Sequence, residues 1–362
     1  MIYYILMFGL FKDKNINIGI GVDIGHNSIK MVELENKDGV ISLQNYAEIE
    51  LATYAGVDMG KAVSIGDNKL SKAIKDMWGT AKPSLRNVYV SIPAIESHIF
   101  AIDVPIVPES EMANAVQMEI RKYITLPVNE LIIDHWPIPT GSKDGKVKVS
   151  VIAVKKSIVD QYIAIFKACE INISGFEMET FSIVRSLGLT DKKYLLIDTG
   201  GSVTTATLVV YGILYKSVTV QVGGNNITSV IKNSLMKNSY KETEIMKRQV
   251  INKDVEDNSL SNIIDMSTYP LIEELGHIGE NLEREYNIVI DEVVFVGGNA
   301  KACSSNLKLK SCFRAHVREA ETFKNIKYAT YLSGLIDKVE NTYAVAAGLA
   351  LKSFNTNHEP KH

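Results

Sequence analysis

Apolar and polar positions follow two periods along this chain, and one arrangement of them occurs twice. Residues 18 to 24 form a short apolar run, IGIGVDI, and Ser28 to Leu34 then alternates as a second strand, with a third suggested over Val40 to Ala47. Gly25 and Asn27 lie between the first two, where a tight turn needs residues tolerant of positive φ. Leu70 to Trp78 reads as a helix, and Asn87 to Ile92 as a strand closed by Pro93. Met112, Val116, Ile120 and Tyr123 fall at helical spacing within Pro108 to Tyr123. Leu131 to Trp136 and Lys146 to Ala153 read as a hairpin around the turn-rich PTGSKDG, and Ser157 to Ala168 as a further helix. The block from about 94 to 175 therefore looks like a small α+β insert.

At Tyr194 the opening pattern returns as YLLIDTGGSVTTATLVVYG: strand, turn, strand. Gly223 and Gly224 precede a helix over Asn225 to Leu235, 239 to 265 is polar and helical in character, and Pro270 to Tyr286 is a long helix. Glu292 to Val296 is a strand running into Gly297 and Gly298. Residues 301 to 316 are poorly patterned, Tyr343 to Leu351 is a helix of small residues, and the tail beyond Phe354 is polar. Such a repeat places two Asp-Gly turns face to face when two lobes of one fold close on a cleft.

The chemistry gathers at those turns. Asp23, Gly25, His26, Asn27 and Ser28 make up the first, and a strand that ends on Asp and turns on Gly lets backbone N–H groups converge on an anion. Asp198, Gly200, Gly201, Ser202 and Thr204 make up the second; two adjacent glycines with several hydroxyls exceed what a plain hairpin requires. Asp23 and Asp198 are the candidate Mg²⁺ partners, and Asp198 is alternatively the group that orients an attacking water. Gly297, Gly298 and Asn299 end a strand where a flat purine can approach the backbone. Each turn alone has an ordinary loop reading; their combination points to one nucleotide site.

Composition narrows the class. A chain of 362 residues exceeds what one core usually serves, so two lobes are expected, and 46% apolar residues supply them. The formal charge of −3, with both signs mixed along the chain, gives no nucleic-acid footprint. Cys169, Cys303 and Cys312 lack metal-ligand spacing and fit reduced thiols of a cytoplasmic protein. The apolar start, Met1 to Leu10, is a poor signal peptide, and charges from Lys12 onward stop it short of a span; Met7 is an alternative start. No other stretch reads as a membrane span. A P-loop, a GxSxG elbow and an HExxH pair are all missing from the sequence.

Taken with MFGLFKDK at Met7 to Lys14, VDIGHNSIKMVEL at Val22 to Leu34, the block Val107 to Ile138, IDTGGSVTTATLVVYG at Ile197 to Gly212, VGGNNIT at Val222 to Thr228, VFVGGNA at Val294 to Ala300 and NTYAVAAGLALK at Asn341 to Lys352, the chain resembles the PilM family. These are actin-like proteins of type IV pilus assembly, related in fold to the cell-division protein FtsA. The resemblance implies an α/β, two-lobed actin/Hsp70-like ATPase fold with ribonuclease H-like lobes. The first lobe core would comprise 15–93 plus 176–192, the FtsA-type extra α+β subdomain 94–175, and the second lobe 193–353 with an insert at about 225–290, before a loose tail at 354–362.

It further implies ATP and Mg²⁺ between the lobes, with weak or no hydrolysis. Phosphate contacts would come from Gly25, His26, Asn27, Ser28 and Lys30, with Gly200, Gly201, Ser202, Thr204, Gly223 and Gly224 opposite. Adenosine contacts would come from Glu244, Lys247, Gly297, Gly298 and Asn299. The implied partners are the cytoplasmic N-terminal peptide of a PilN-like inner-membrane protein, held between the first lobe and the extra subdomain, and the pilus motor ATPases and platform protein. Their company would recruit a cytoplasmic protein to the inner face of the membrane. Two departures stand out: His26 and Asn27 replace small hydroxyl residues, and 299 to 316 lacks a glycine–leucine–proline run. Two other readings of the same superfold stay open, a sugar or small-molecule kinase and an FtsA-like membrane-linked filament.

Overall fold

A computed structural model describes residues 17–139 and 144–354. The apolar start, the MFGLFKDK segment, most of the PTGSKDG loop and the tail beyond Phe354 lie outside the described residues.

The first half runs β1 (Ile18–Ile24), β2 (Ser28–Lys37), β3 (Val40–Glu50), α1 (Ala52–Ala55), α2 (Asp67–Ala81), β4 (Asn87–Ile92), β5 (Ser97–Pro105), α3 (Glu109–Ile120), β6 (Leu131–Pro137), β7 (Lys146–Lys155), α4 (Lys156–Ala168), β8 (Asn172–Met178) and α5 (Glu179–Leu187). The second half runs β9 (Lys193–Thr199), β10 (Thr204–Val210), β11 (Ile213–Val220), α6 (Gly224–Ser234), α7 (Tyr240–Ile251), α8 (Asn258–Tyr286), β12 (Glu292–Val296), α9 (Ala300–Ser304), α10 (Leu309–Cys312), β13 (His316–Glu319), α11 (Ser333–Val339) and α12 (Ala344–Lys352).

Two five-stranded sheets have the same plan. In each, an antiparallel meander continues into two parallel strands: β3-β2-β1-β4-β8 in the first and β11-β10-β9-β12-β13 in the second. The repeated sequence pattern is thus a repeated sheet. A separate three-stranded antiparallel sheet, β5-β7-β6, has α3 packed on it through Val116 and Ile120.

The helices sort by their apolar faces. Val159, Tyr162, Ile165 and Phe166 of α4 join the first sheet's core beside α2. The closing helix α12 also packs there, on β1, β2, β4 and α5, although it follows the second sheet in the chain. Its alanines and Gly348 permit this, because Gly19 and Gly21 of β1 present no side chain to it. Ile227 and Ile231 of α6 and Leu260 and Ile264 of α8 form a separate cluster beyond the second sheet.

Several elements differ from the sequence pattern. The long helix begins at Asn258, not at Pro270, and carries Pro270 in its interior. Proline leaves the carbonyl four residues earlier without its helical donor; that residue is Met266, which is 77% exposed. Strands β5, β8, β11 and β13 and helix α5 are additional to the elements the sequence pattern revealed. Among the described residues no helix is long and apolar enough to cross a membrane.

Candidate functional site

The two repeated turns close in the same way. Gly25 N–H donates to Ser28 O and Gly200 N–H to Val203 O, each at 3.0 Å. One cavity is lined by both turns, by the β12 end and by the start of α5. It brings together Asp23, Gly25, His26, Asn27, Ser28, Lys30, Asp198, Gly200, Gly201, Gly224, Glu244, Lys247, Gly297, Gly298 and Asn299. Ser202, Thr204 and Gly223 are not in its wall. The Thr204 hydroxyl donates to Val222 O at 2.8 Å, which occupies it in the sheet. Gly223 serves close packing, since a Cβ there would lie 2.6 Å from Gly201 O.

On the first lobe, Asp23 accepts from the Ser91 hydroxyl at 2.9 Å, and the same hydroxyl receives Ile24 N–H at 2.9 Å. Lys30 Nζ reaches Ser28 Oγ at 2.7 Å and Glu48 at 3.3 Å, while Ser28 donates to Glu48 at 2.7 Å. The first turn thus has its cation and hydroxyl tied into a Glu48 network. Burial works against the Lys30 charge, but Glu48 and Asp23 outweigh it and raise the pKa. Burial lowers that of His26.

Three carboxyls face the same space. Asp198 is pushed up to about 7, by burial first and by Asp23 second, with Lys30 opposing. Asp23 is raised mainly by burial, and Glu179 well above the usual range by burial and by both aspartates. Glu179, at the first position of α5, accepts from Ala94 N–H at 2.8 Å. It escaped the sequence reading because β8, the strand that delivers it, has no clean alternation.

The opposite end is built on α7. Lys247, 2% exposed, donates to Gly224 O at 3.1 Å, Thr228 Oγ1 at 2.9 Å and Asn299 Oδ1 at 3.2 Å, and pairs with Glu244 at 2.8 Å. Asn299 Nδ2 in turn donates to Gly200 O at 3.0 Å. Glu244 and Lys247 therefore brace the wall that joins the second turn to the Gly297–Asn299 turn. Gly297 has φ +95°, and a Cβ there would meet Asp198 Oδ1 at 2.4 Å, so only glycine fits. Arg248, absent from the sequence reading, joins Glu244 at 2.8 Å to Glu50 of β3 at 3.0 Å, spanning the cleft. Asn341, also in the wall, buries a side-chain oxygen without a hydrogen-bond partner.

Two like-ordered sheets facing one cleft through paired Asp-Gly turns define the two-lobed actin/Hsp70-like ATPase fold. A family model described as type IV pilus assembly protein PilM matches residues 21–354, and the chain belongs to that family. It is similar to the solved PilM-PilN type IV pilus biogenesis complex, with 21% identity and a TM-score of 0.76 over 92% of this chain and 98% of that one. The ethanolamine utilization protein EutJ from Carboxydothermus hydrogenoformans shares the fold at 14% identity and TM-score 0.55, over 96% and 92% of the two chains. MreB5 of Spiroplasma citri, solved bound to ADP, does so at 12% identity and 0.52, over 95% and 99%.

Proposed function

We propose that this chain is a cytoplasmic, ATP-binding platform of type IV pilus assembly that docks the N-terminal peptide of a PilN-type inner-membrane protein. The convergence of three glycine turns on a single cavity supports the nucleotide half of this reading. A triphosphate would rest on the amides of His26, Asn27, Gly201 and Ser202, the positions between the turn-closing pairs. The ribose and base would lie toward Asn341, Gly297, Gly298 and Arg248.

The carboxyl set fits Mg²⁺. Among the described residues no three acids are close enough to ligate a metal by themselves. Mg²⁺ typically keeps several waters and takes one or two carboxylates plus phosphates, and Asp23, buried, and Asp198, half-buried, are acids whose charges raise Asp198 and Glu179. The bound cation would neutralise phosphate charge; Asp23 and Asp198 would orient its waters, and Glu179 would hold a water near the terminal phosphate. A hydrolytic rate is not needed for a platform, since a ligand bridging two lobes acts through its differential affinity for their arrangements.

The proposed peptide site is a groove walled by α3, the 124–129 loop and β6, with Lys156 of α4 at its rim. Its floor is Ile124, Leu126, Pro127, Val128, Leu131 and Ile133, and β6 lies at the edge of its sheet. An extended peptide can add to such an edge. The groove's lining lies wholly within the 94–175 block and reaches toward the first lobe through Lys156 of α4, the helix that packs on that lobe's core. The motor ATPases and platform protein would be met at the membrane to which this peptide leads.

Asp23→Ala and Gly200→Val should each weaken ATP binding about tenfold or more, the scale of one lost charge-assisted hydrogen bond, while the protein stays folded. Titration calorimetry giving wild-type affinity in both variants overturns the nucleotide site.

A further inference from the structure

The two phosphate turns are joined directly by their own side chains. Asn27 Nδ2 donates to Asn225 Oδ1 at 2.8 Å, and Asn225 Nδ2 returns a bond to Asn27 Oδ1 at 3.2 Å and reaches Ser202 Oγ at 3.3 Å. Asn27 belongs to the first lobe's turn; Asn225 is the second residue of α6, on the second lobe. Both backbones are fixed: Leu51 N–H binds Asn27 O, and Asn225 N–H binds Gly201 O, each at 2.8 Å. The Asn27 carboxamide presses on the second turn so closely that a Cβ on Gly201 would meet its nitrogen at 2.4 Å.

Asn27 and Asn225 lie in the wall of the cavity that both turns face. A reciprocal amide pair satisfies donor and acceptor on both partners, and it lies between the turns on which a phosphate would rest. We infer that Asn27 and Asn225 form a clasp across the phosphate end of the cleft that has to open before a nucleoside triphosphate can enter. The inference rests on the nucleotide-site reading above and adds a self-made competitor to it. Serine at 27 would keep a turn residue with a hydroxyl yet be too short to reach Asn225. The clasp therefore makes the two asparagines determinants of affinity through the bonds they make to each other.

The test uses the full chain, ATP and adenosine as probes, and the variants Asn27→Ser, Asn225→Ala and both together. Each single variant should bind ATP about fivefold more tightly, the worth of one net hydrogen bond. The double variant should bind no more tightly than either, because one pair is removed only once. Adenosine, which carries no phosphate, should bind all four proteins alike. Unchanged or weaker ATP binding in Asn225→Ala overturns the clasp and leaves the site standing, and so does an equal gain for adenosine. If neither wild type nor any variant binds ATP, the site reading itself fails and the clasp falls with it.

Discussion

Asp198 is where burial, charge and ligand meet most sharply. Its folded pKa is raised to about 7 by burial and then by Asp23. A carboxyl raised in this way stabilises the fold while protonated; that contribution is whole below the unfolded value and is lost as pH climbs through the folded one. Asp23 and Glu179 are shifted in the same direction. The ligand-free protein should accordingly lose thermal stability from about pH 4 to about pH 7, whereas Mg-ATP, on the proposal that its cation takes the ionised carboxylate, should bind more tightly over that interval. Melting scans with and without Mg-ATP read both trends, and Asp198→Asn should flatten them. Glu177 acts in a separate window: burial opposes its charge, but Lys352 and Arg185 prevail and bring it down to about 2. Its stabilisation is present above the ordinary carboxylate value and lost only in acid. The Asp and Gly residues of the turns were legible in the sequence because their spacing repeats. Glu179 and Arg248 were not, because their significance lies in partners at Asp23, Asp198 and Glu50, far along the chain.

The elements repeat this division between local and distant causes. The strands flanking each turn announce themselves by alternation, and α12 by its run of small residues. Which sheet α12 covers was invisible, because that depends on contacts across the whole chain: Lys352 Nζ meets Glu177 at 2.8 Å, and Arg185 Nη1 donates to Gly348 O at 3.2 Å. β8 hid for a related reason, since Gly175 and Glu177 interrupt its apolar run, and Glu177 is tolerable inside only through Ser182, Arg185 and Lys352. The start of α8 was misplaced because a proline signals a helix N-terminus more often than an exposed interior turn. Packing of α12 on α5 is tight enough to test. A Cβ on Gly348 would lie 1.9 Å from Ser182 O, a backbone atom that cannot swing aside. Gly348→Ala should cost about 3 kcal/mol of stability, at the upper end for overpacking, measured by urea unfolding. Wild-type stability would mean that the two helices separate more easily than their contact implies.

At the scale of the molecule, the three-stranded sheet touches both lobes. Its helix α3 and strand β6 line the proposed peptide groove, while the Ser150 hydroxyl of β7 donates to Leu214 O of β11 at 2.7 Å. Ile138, just beyond β6, is buried in the second lobe's core, with Ala101 of β5 packed against the same cluster. Rotation of the second lobe about a bound nucleotide would therefore pull on β5, β7 and the segment after β6, and so reach the groove. Linkage makes the effect reciprocal: if Mg-ATP alters peptide affinity by some factor, peptide must alter ATP affinity by the same factor. A change of about fivefold, at the lower edge of ordinary allosteric coupling, is expected. Ser150→Ala removes the hydroxyl tie without touching either site, so it should shrink the factor while leaving each ligand's affinity alone nearly as it was. Calorimetry titrating the PilN-type peptide with and without Mg-ATP, and Mg-ATP with and without the peptide, measures all four values of the cycle. Equal peptide binding in both conditions would show that the lobes move without the groove, or do not move at all, and the platform would then act as a passive dock. A coupling that survives Ser150→Ala at full size would instead trace the connection through Ile138 and the packed core.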